Sequence, residues 1–321
     1  MILYEGSRFE VPAGLAIIGL GLLWGAGFPA IEIVVAQLPP LGAAGVRYAV
    51  SGAIVLIYAR AMTNQIWPRT AGAVLSILLV GGLMFGGYQA GLYLGTQHIT
   101  GAVAAVVTTM SPIVAAVVAV PILGESRGFL DAFGFLLGVS GVLVLAQPSV
   151  GFTSLSSTAV GVGLVFLGTT LFALGSVTIQ LFDESLPTEA LQGWAMLVGA
   201  TFLFYGGHVR GESLPDVWAL SPVALGSLAY ITLVAGAGGY LLYFRLVRRV
   251  GATETTLVAY LEPVAATVVS VVFLDQSIGL AMVVGFLAVA TGFTLVSRAT
   301  MRRTINTIRA AIAANQLGRE P

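Results

Sequence analysis

The sequence predicts an all-α polytopic membrane protein of ten transmembrane helices, arranged as two inverted five-helix repeats. Three observations carry this reading. Of 321 residues, 57% are hydrophobic and 9% charged, where a soluble domain has roughly 25% charged residues, so the chain cannot solvate itself. Apolar runs of roughly 20 residues, long enough to cross a hydrocarbon core, recur along the whole chain. The second half repeats the first at an offset of roughly 150 residues.

The short polar segment before Pro12 is followed by an apolar run too long for a signal-peptide core, so that run is expected to remain as the first helix. The first five helices are expected at 13–36, 41–60, 71–94, 100–121 and 129–147. A Pro/Ser/Thr-rich connector, 147–158, leads to five more at 159–181, 187–207, 222–244, 251–273 and 278–297. Pro39, Pro40, Pro68, Pro148, Pro187, Pro215 and Pro222 fall near expected helix ends, where proline is well tolerated. The two repeats are thus 13–147 and 159–297, followed by a basic tail, 298–321, whose Arg/Ile pattern suits an amphipathic helix on the membrane surface.

Arginine sets the orientation. With both termini in the cytoplasm, Arg8, Arg60, Arg69, Arg127, Arg245, Arg248, Arg249, Arg298 and the tail arginines lie inside, while Arg210 alone lies outside. Short-loop asymmetry of this kind is the positive-inside pattern of a multi-pass protein, and the plasma membrane is the expected location. An odd number of helices per repeat forces the second copy to enter upside down. Matched residues include Pro112/Pro263, Gly134/Gly285 and Gly141/Gly292. Inverted repeats supply two related half-pathways, as alternating access requires.

Composition also excludes chemistry. With no cysteine there is no disulfide or thiolate metal site, and with no lysine there is no Schiff base. Two histidines, His98 and His208, argue against an imidazole metal site, and zero net charge gives no sign of a nucleic-acid partner. There is no phosphate-binding loop, so ATP is not the direct energy source. Deep polar groups are too sparse for an intramembrane enzyme, and no cofactor is expected.

The polar groups that do lie deep are the candidate site. Glu262 sits mid-run beside Pro263, where an intramembrane acid leans towards function and is a candidate for proton coupling. Pro263 and its counterpart Pro112 are expected to kink their helices. Trp24, Tyr88, Gln89, Thr108, Tyr240, Tyr260 and Glu262 form the expected substrate cavity, whereas Tyr93 and Tyr243, near helix ends, suit an interfacial belt. Arg47 is expected to form a structural ion pair with Glu32, the alternative being an anchor for an anionic group of the solute.

Several motifs then coincide in order: Trp24-Gly25-Ala26-Gly27-Phe28, Pro39-Pro40 before Arg47, Ser111-Pro112, Leu123-Gly124-Glu125 and Glu262-Pro263. Together they resemble the ten-helix EamA-type members of the drug/metabolite transporter superfamily across about 13–297. The resemblance implies a basket of ten helices around a central cavity and export or exchange of a small organic metabolite. Glu32 stands where many members have a lysine, and Asp275-Gln276 where Gly-Glu is usual. The expected partners are a small solute, membrane lipids and a second copy of the chain. The competing reading is a non-transporting membrane scaffold or lipid scramblase.

Overall fold

Helix ends in this chain are set by local chemistry, and the computed structural model describes residues 12–123, 128–146, 156–178, 186–250 and 258–296. Helix α1 is Ala13–Val35 and α2 is Pro40–Met62, with Pro40 in the first turn, where its missing N–H leaves no bond unmade. Helix α3 is Ala71–Gly95, capped by Thr70, whose hydroxyl accepts from Ala73 N at 3.1 Å. Helix α4 has two pieces, Gly101–Thr108 and Ser111–Leu123. Helices α5 and α6 are Phe129–Ala146 and Ser157–Thr178. Helix α7 is Thr188–Val209, and α8 runs through three consecutive segments, Pro222–Ala229, Tyr230–Gly238 and Gly239–Val250. Helix α9 is Val258–Leu274 and α10 is Leu280–Val296. These match the expected elements to within a few residues, except that α8 runs on to Val250 where 244 was expected and the described part of α9 begins at Val258. The stretch 251–257, most of the connector and the tail 298–321 lie outside the described residues.

Two helices are not plain α-helices. Helix α3 widens into a π-helix over Val80–Gly87, and α8 does the same over Tyr230–Gly238. The two segments occupy matched positions of the repeat. Widening shifts the hydrogen-bond register and leaves carbonyls able to accept from neighbouring side chains, and such segments gather at functional sites. Helix α4 was expected as one rod kinked at Pro112. It instead breaks at Thr109–Met110, whose N–H groups bond to Val106 and Val107 oxygens at 3.2 and 3.1 Å. Pro112 then sits in the first turn of the next piece, where no donor is needed. Helix α9 continues through Pro263, and α1 contains a further internal proline, Pro29.

Inversion can be read from helix contacts. Helices α5 and α10 are equivalent under the repeat, and they cross antiparallel. A Cβ on Gly134 would lie 2.7 Å from the Gly292 oxygen, and one on Gly141 would lie 2.7 Å from the Gly285 oxygen. Gly134 matches Gly285 and Gly141 matches Gly292, so these are two copies of one contact related by a pseudo-two-fold axis. Helices α2 and α7, also equivalent, run antiparallel too, with Gly45 against Phe204 and Gly52 against Gly193. Other neighbours come in related pairs as well: α1–α9 with α6–α4, α1–α8 with α6–α3, and α2–α8 with α7–α3.

Tyr48, Tyr93, Met110, Ile113, Met196 and Ile231 fill the interior. Outside, Ile57, Leu136, Leu167, Phe273 and Leu280 are between 57% and 79% exposed. An apolar outer surface around a polar centre is the reverse of a soluble protein and suits lipid contact.

Candidate functional site

Arg47 is the centre from which the deep site is built. Helix α2 carries it into the interior, where it is 6% exposed. Its Nε donates to the Ile231 oxygen at 3.0 Å, and Nη1 donates to the Tyr93 hydroxyl at 3.4 Å. Ser51, one turn on, donates to the Thr232 oxygen at 2.8 Å, and Trp24 Nε1 on α1 donates to the Ala235 oxygen at 2.9 Å. All three carbonyls belong to the π-helical segment of α8. That segment therefore explains how one helix can hold side chains from two others without unwinding.

Around the guanidinium the rings form a chain. Tyr48 faces Arg47 with 4.9 Å between the guanidinium carbon and the ring centre, within cation–π reach. Tyr48 lies 5.2 Å from Phe85, Phe85 lies 5.5 Å from Tyr240, and Trp24 lies 5.0 Å from Tyr240 and 5.3 Å from Tyr243. Tyr88 packs at 5.2 Å against Phe172 of α6, the two rings tilted by 60°. Glu262 makes no hydrogen bond or ion pair among the described residues, and it is half-buried beside the seam where Gly25 lets α1 approach the α9 backbone. The Tyr48 hydroxyl is buried beside Tyr240.

The expected Glu32–Arg47 ion pair does not form. Glu32 Oε2 accepts from Gly101 N, the first residue of α4, at 2.7 Å, and Oε1 accepts from Gln276 Nε2 at 2.7 Å. The reason is the free donors at the start of α4, which draw an acid to a helix N-terminus. Arg47 is left without a carboxylate partner among the described residues.

Of the expected cavity residues, Trp24 and Tyr240 are in ring contact, the Glu262 backbone lies against Gly25 next to Trp24, and Tyr88 packs on Phe172. Thr108 is buried and its hydroxyl donates to the Ala105 oxygen of its own helix at 2.9 Å. Gln89 is buried on α3 with its Oε1 unpartnered. The Tyr260 side chain lies outside the described ones. Tyr93 is no belt residue, being fully buried against Arg47, and Tyr243 is half-buried on Trp24. Tyr48 and the π-helical carbonyls were missed. The adjacency of Tyr48 to Arg47 and the glycine-rich runs VGGLMFGG and YITLVAGAG were the available signals.

A separate cavity of about 450 Å³ opens at the end of the bundle holding the α3–α4 turn and the α9–α10 loop. Glu32, His98, Thr100, Thr267, Ser270 and Gln276 are among its lining residues. Bonds between the repeats gather at this end. Besides Glu32–Gln276, Gln37 and Ser221 exchange two bonds at 2.9 Å, and Glu212 accepts from Leu41 N and Gly42 N at 3.1 Å.

With this geometry in hand, comparison with known proteins gives a consistent answer. The model of the EamA-like transporter family matches residues 12–147 and again residues 159–298. The chain is 26% identical over 284 residues to the uncharacterized transporter YvbV of Bacillus subtilis (strain 168), covering 87% of this chain and 89% of that protein. It is 27% identical over 262 residues to the uncharacterized inner membrane transporter YedA of Escherichia coli (strain K12), covering 81% and 82%. A solved crystal structure at 20% identity superposes with a TM-score of 0.62 over 90% of this chain and 97% of its own, which is a likeness of fold.

Proposed function

We propose that this chain, which belongs to the EamA-like transporter family, is a secondary transporter that exports or exchanges a small organic solute by alternating access. An anionic group of the solute pairs with Arg47. The observation that carries this reading is a buried guanidinium with no carboxylate partner among the described residues, set in a chain of tyrosines contributed by both repeats. Intramembrane charges pair with one another or mark a substrate path. Arg47 uses Nε and part of Nη1 on the protein, so the remaining donors of its planar fork are left for a ligand. The Tyr48 ring faces the same guanidinium. Both termini lie in the cytoplasm, a reading supported by the arginine distribution, and the end of the bundle carrying the α9–α10 loop then faces outward.

Glu262 couples the cycle to protons. It is half-buried beside the aromatic chain and carries no hydrogen bond among the described residues, so changes in hydration act on it directly. The test is solute counterflow into sealed liposomes holding the purified protein, screening small carboxylates and phosphates with and without a pH gradient. Saturable counterflow of an anionic solute, stimulated by the gradient in wild type and indifferent to it in Glu262→Gln, is the expected result. Lipid flip without solute flux would overturn the reading.

A further inference from the structure

Glu32 is a further charge without an ionic partner among the described residues. Its carboxylate holds two neutral donors, Gly101 N and Gln276 Nε2, and no cation pairs with it among the described residues. Capping α4 explains why the acid lies where it does. It leaves about half of the roughly four lone-pair sites of the carboxylate unused, and Glu32 lines a cavity. That cavity, about 450 Å³, contains no arginine in its lining, and the chain has no lysine. Ser270 lines the same space. It is 1% exposed, and its hydroxyl has no hydrogen-bond partner. A buried hydroxyl left unmatched loses free energy that a ligand's donor can restore. Gln276 joins the two walls, since its side chain reaches Glu32 while its backbone N donates to the Ser270 oxygen at 3.2 Å. The hydroxyl of Thr267 is on the same lining.

We propose that this cavity is a binding site for a small primary ammonium ion, held by the Glu32 carboxylate and by the Ser270 and Thr267 hydroxyls. A primary ammonium brings three donors and one positive charge, which the acceptors and the single acid on this lining complement. The site is distinct from the Arg47 centre. It does not depend on what the transported solute is.

The probe is ethanolamine, protonated at neutral pH, set against ethylene glycol, a neutral molecule of similar size. The full chain in lipid nanodiscs is titrated calorimetrically with each at constant sodium concentration. Saturable binding of ethanolamine and none of ethylene glycol is the expected result. Glu32→Gln should weaken ethanolamine at least tenfold. Ala281→Phe, which fills the lining without touching a charge, should abolish binding even if Glu32→Gln fails to fold. Arg47→Gln should leave the affinity unchanged. Equal binding of the two probes, full affinity in Glu32→Gln or Ala281→Phe, loss in a folded Arg47→Gln, or no saturable heat in wild type would each overturn the proposal.

Discussion

At the scale of single residues, the consequences of the structure concentrate in Arg47 and Glu32. Removing the Arg47 guanidinium leaves the Ile231 oxygen and the Tyr93 hydroxyl in a dry interior with one donor fewer, which costs about 1–3 kcal/mol per stranded group. Glu32→Ala strands the Gly101 N–H and should destabilise by about 0.5–2 kcal/mol, as loss of a helix cap does. Because the two side chains have separate partners, their effects should add. In a double-mutant cycle on Glu32→Gln and Arg47→Gln, read by unfolding in mixed micelles, the coupling should stay within about 0.5 kcal/mol. Rescue of one substitution by the other would restore the ion pair that the hydrogen bonds argue against. Sequence gives the depth of a charge along its helix, and Glu32 and Arg47 were matched on depth alone. It does not give the azimuth, and azimuth decided that Glu32 meets α4 while Arg47 meets α8.

At the scale of helices, the crossing of α5 and α10 is a seam of small residues. Gly134→Leu would drive a side chain into the Gly292 backbone, where overpacking costs about 1–3 kcal/mol. Gly163→Ala, with open space around its Cβ, should be neutral or slightly stabilising in the same assay. Parity between the two variants would place the seam elsewhere. The glycines of this crossing were legible in the sequence because the repeat aligned Gly134 with Gly285 and Gly141 with Gly292. The π-helical segments were not. Hydrophobic periodicity over Val80–Gly87 and Tyr230–Gly238 is that of any apolar helix, and only the glycine content marks them. The break at Thr109–Met110 was displaced from Pro112 for a related reason. Proline is comfortable in a first turn, so it marks where a helix restarts as readily as where one bends.

At the scale of the whole molecule, two equivalent halves of opposite sense enclose one asymmetric site. The first half supplies Trp24, Arg47, Tyr48, Tyr88 and Tyr93, and the second supplies the Ile231 carbonyl, Tyr240 and Glu262. The ten-helix inverted plan was legible from composition, helix length and the odd helix count per repeat, since these are properties of the chain that bilayer thickness converts directly into architecture. The deep cluster around Arg47 was legible only in part, because facing residues from different helices share no period in the sequence. Under the proposed alternating access, opening of the α9–α10 end would part the bonds between repeats there, Glu32–Gln276 and Gln37–Ser221 among them. Gln37→Ala should therefore speed exchange if opening at this end limits the rate, which stopped-flow counterflow will read. Arg47 is the proposed charge partner of the solute, and the decisive measurement is counterflow of the anionic solute found in the liposome screen, comparing wild type with Arg47→Gln and Arg47→Lys at equal amounts of folded protein. A loss of at least tenfold in Arg47→Gln with partial retention in Arg47→Lys is predicted, and wild-type flux with unchanged half-saturation in Arg47→Gln would contradict it.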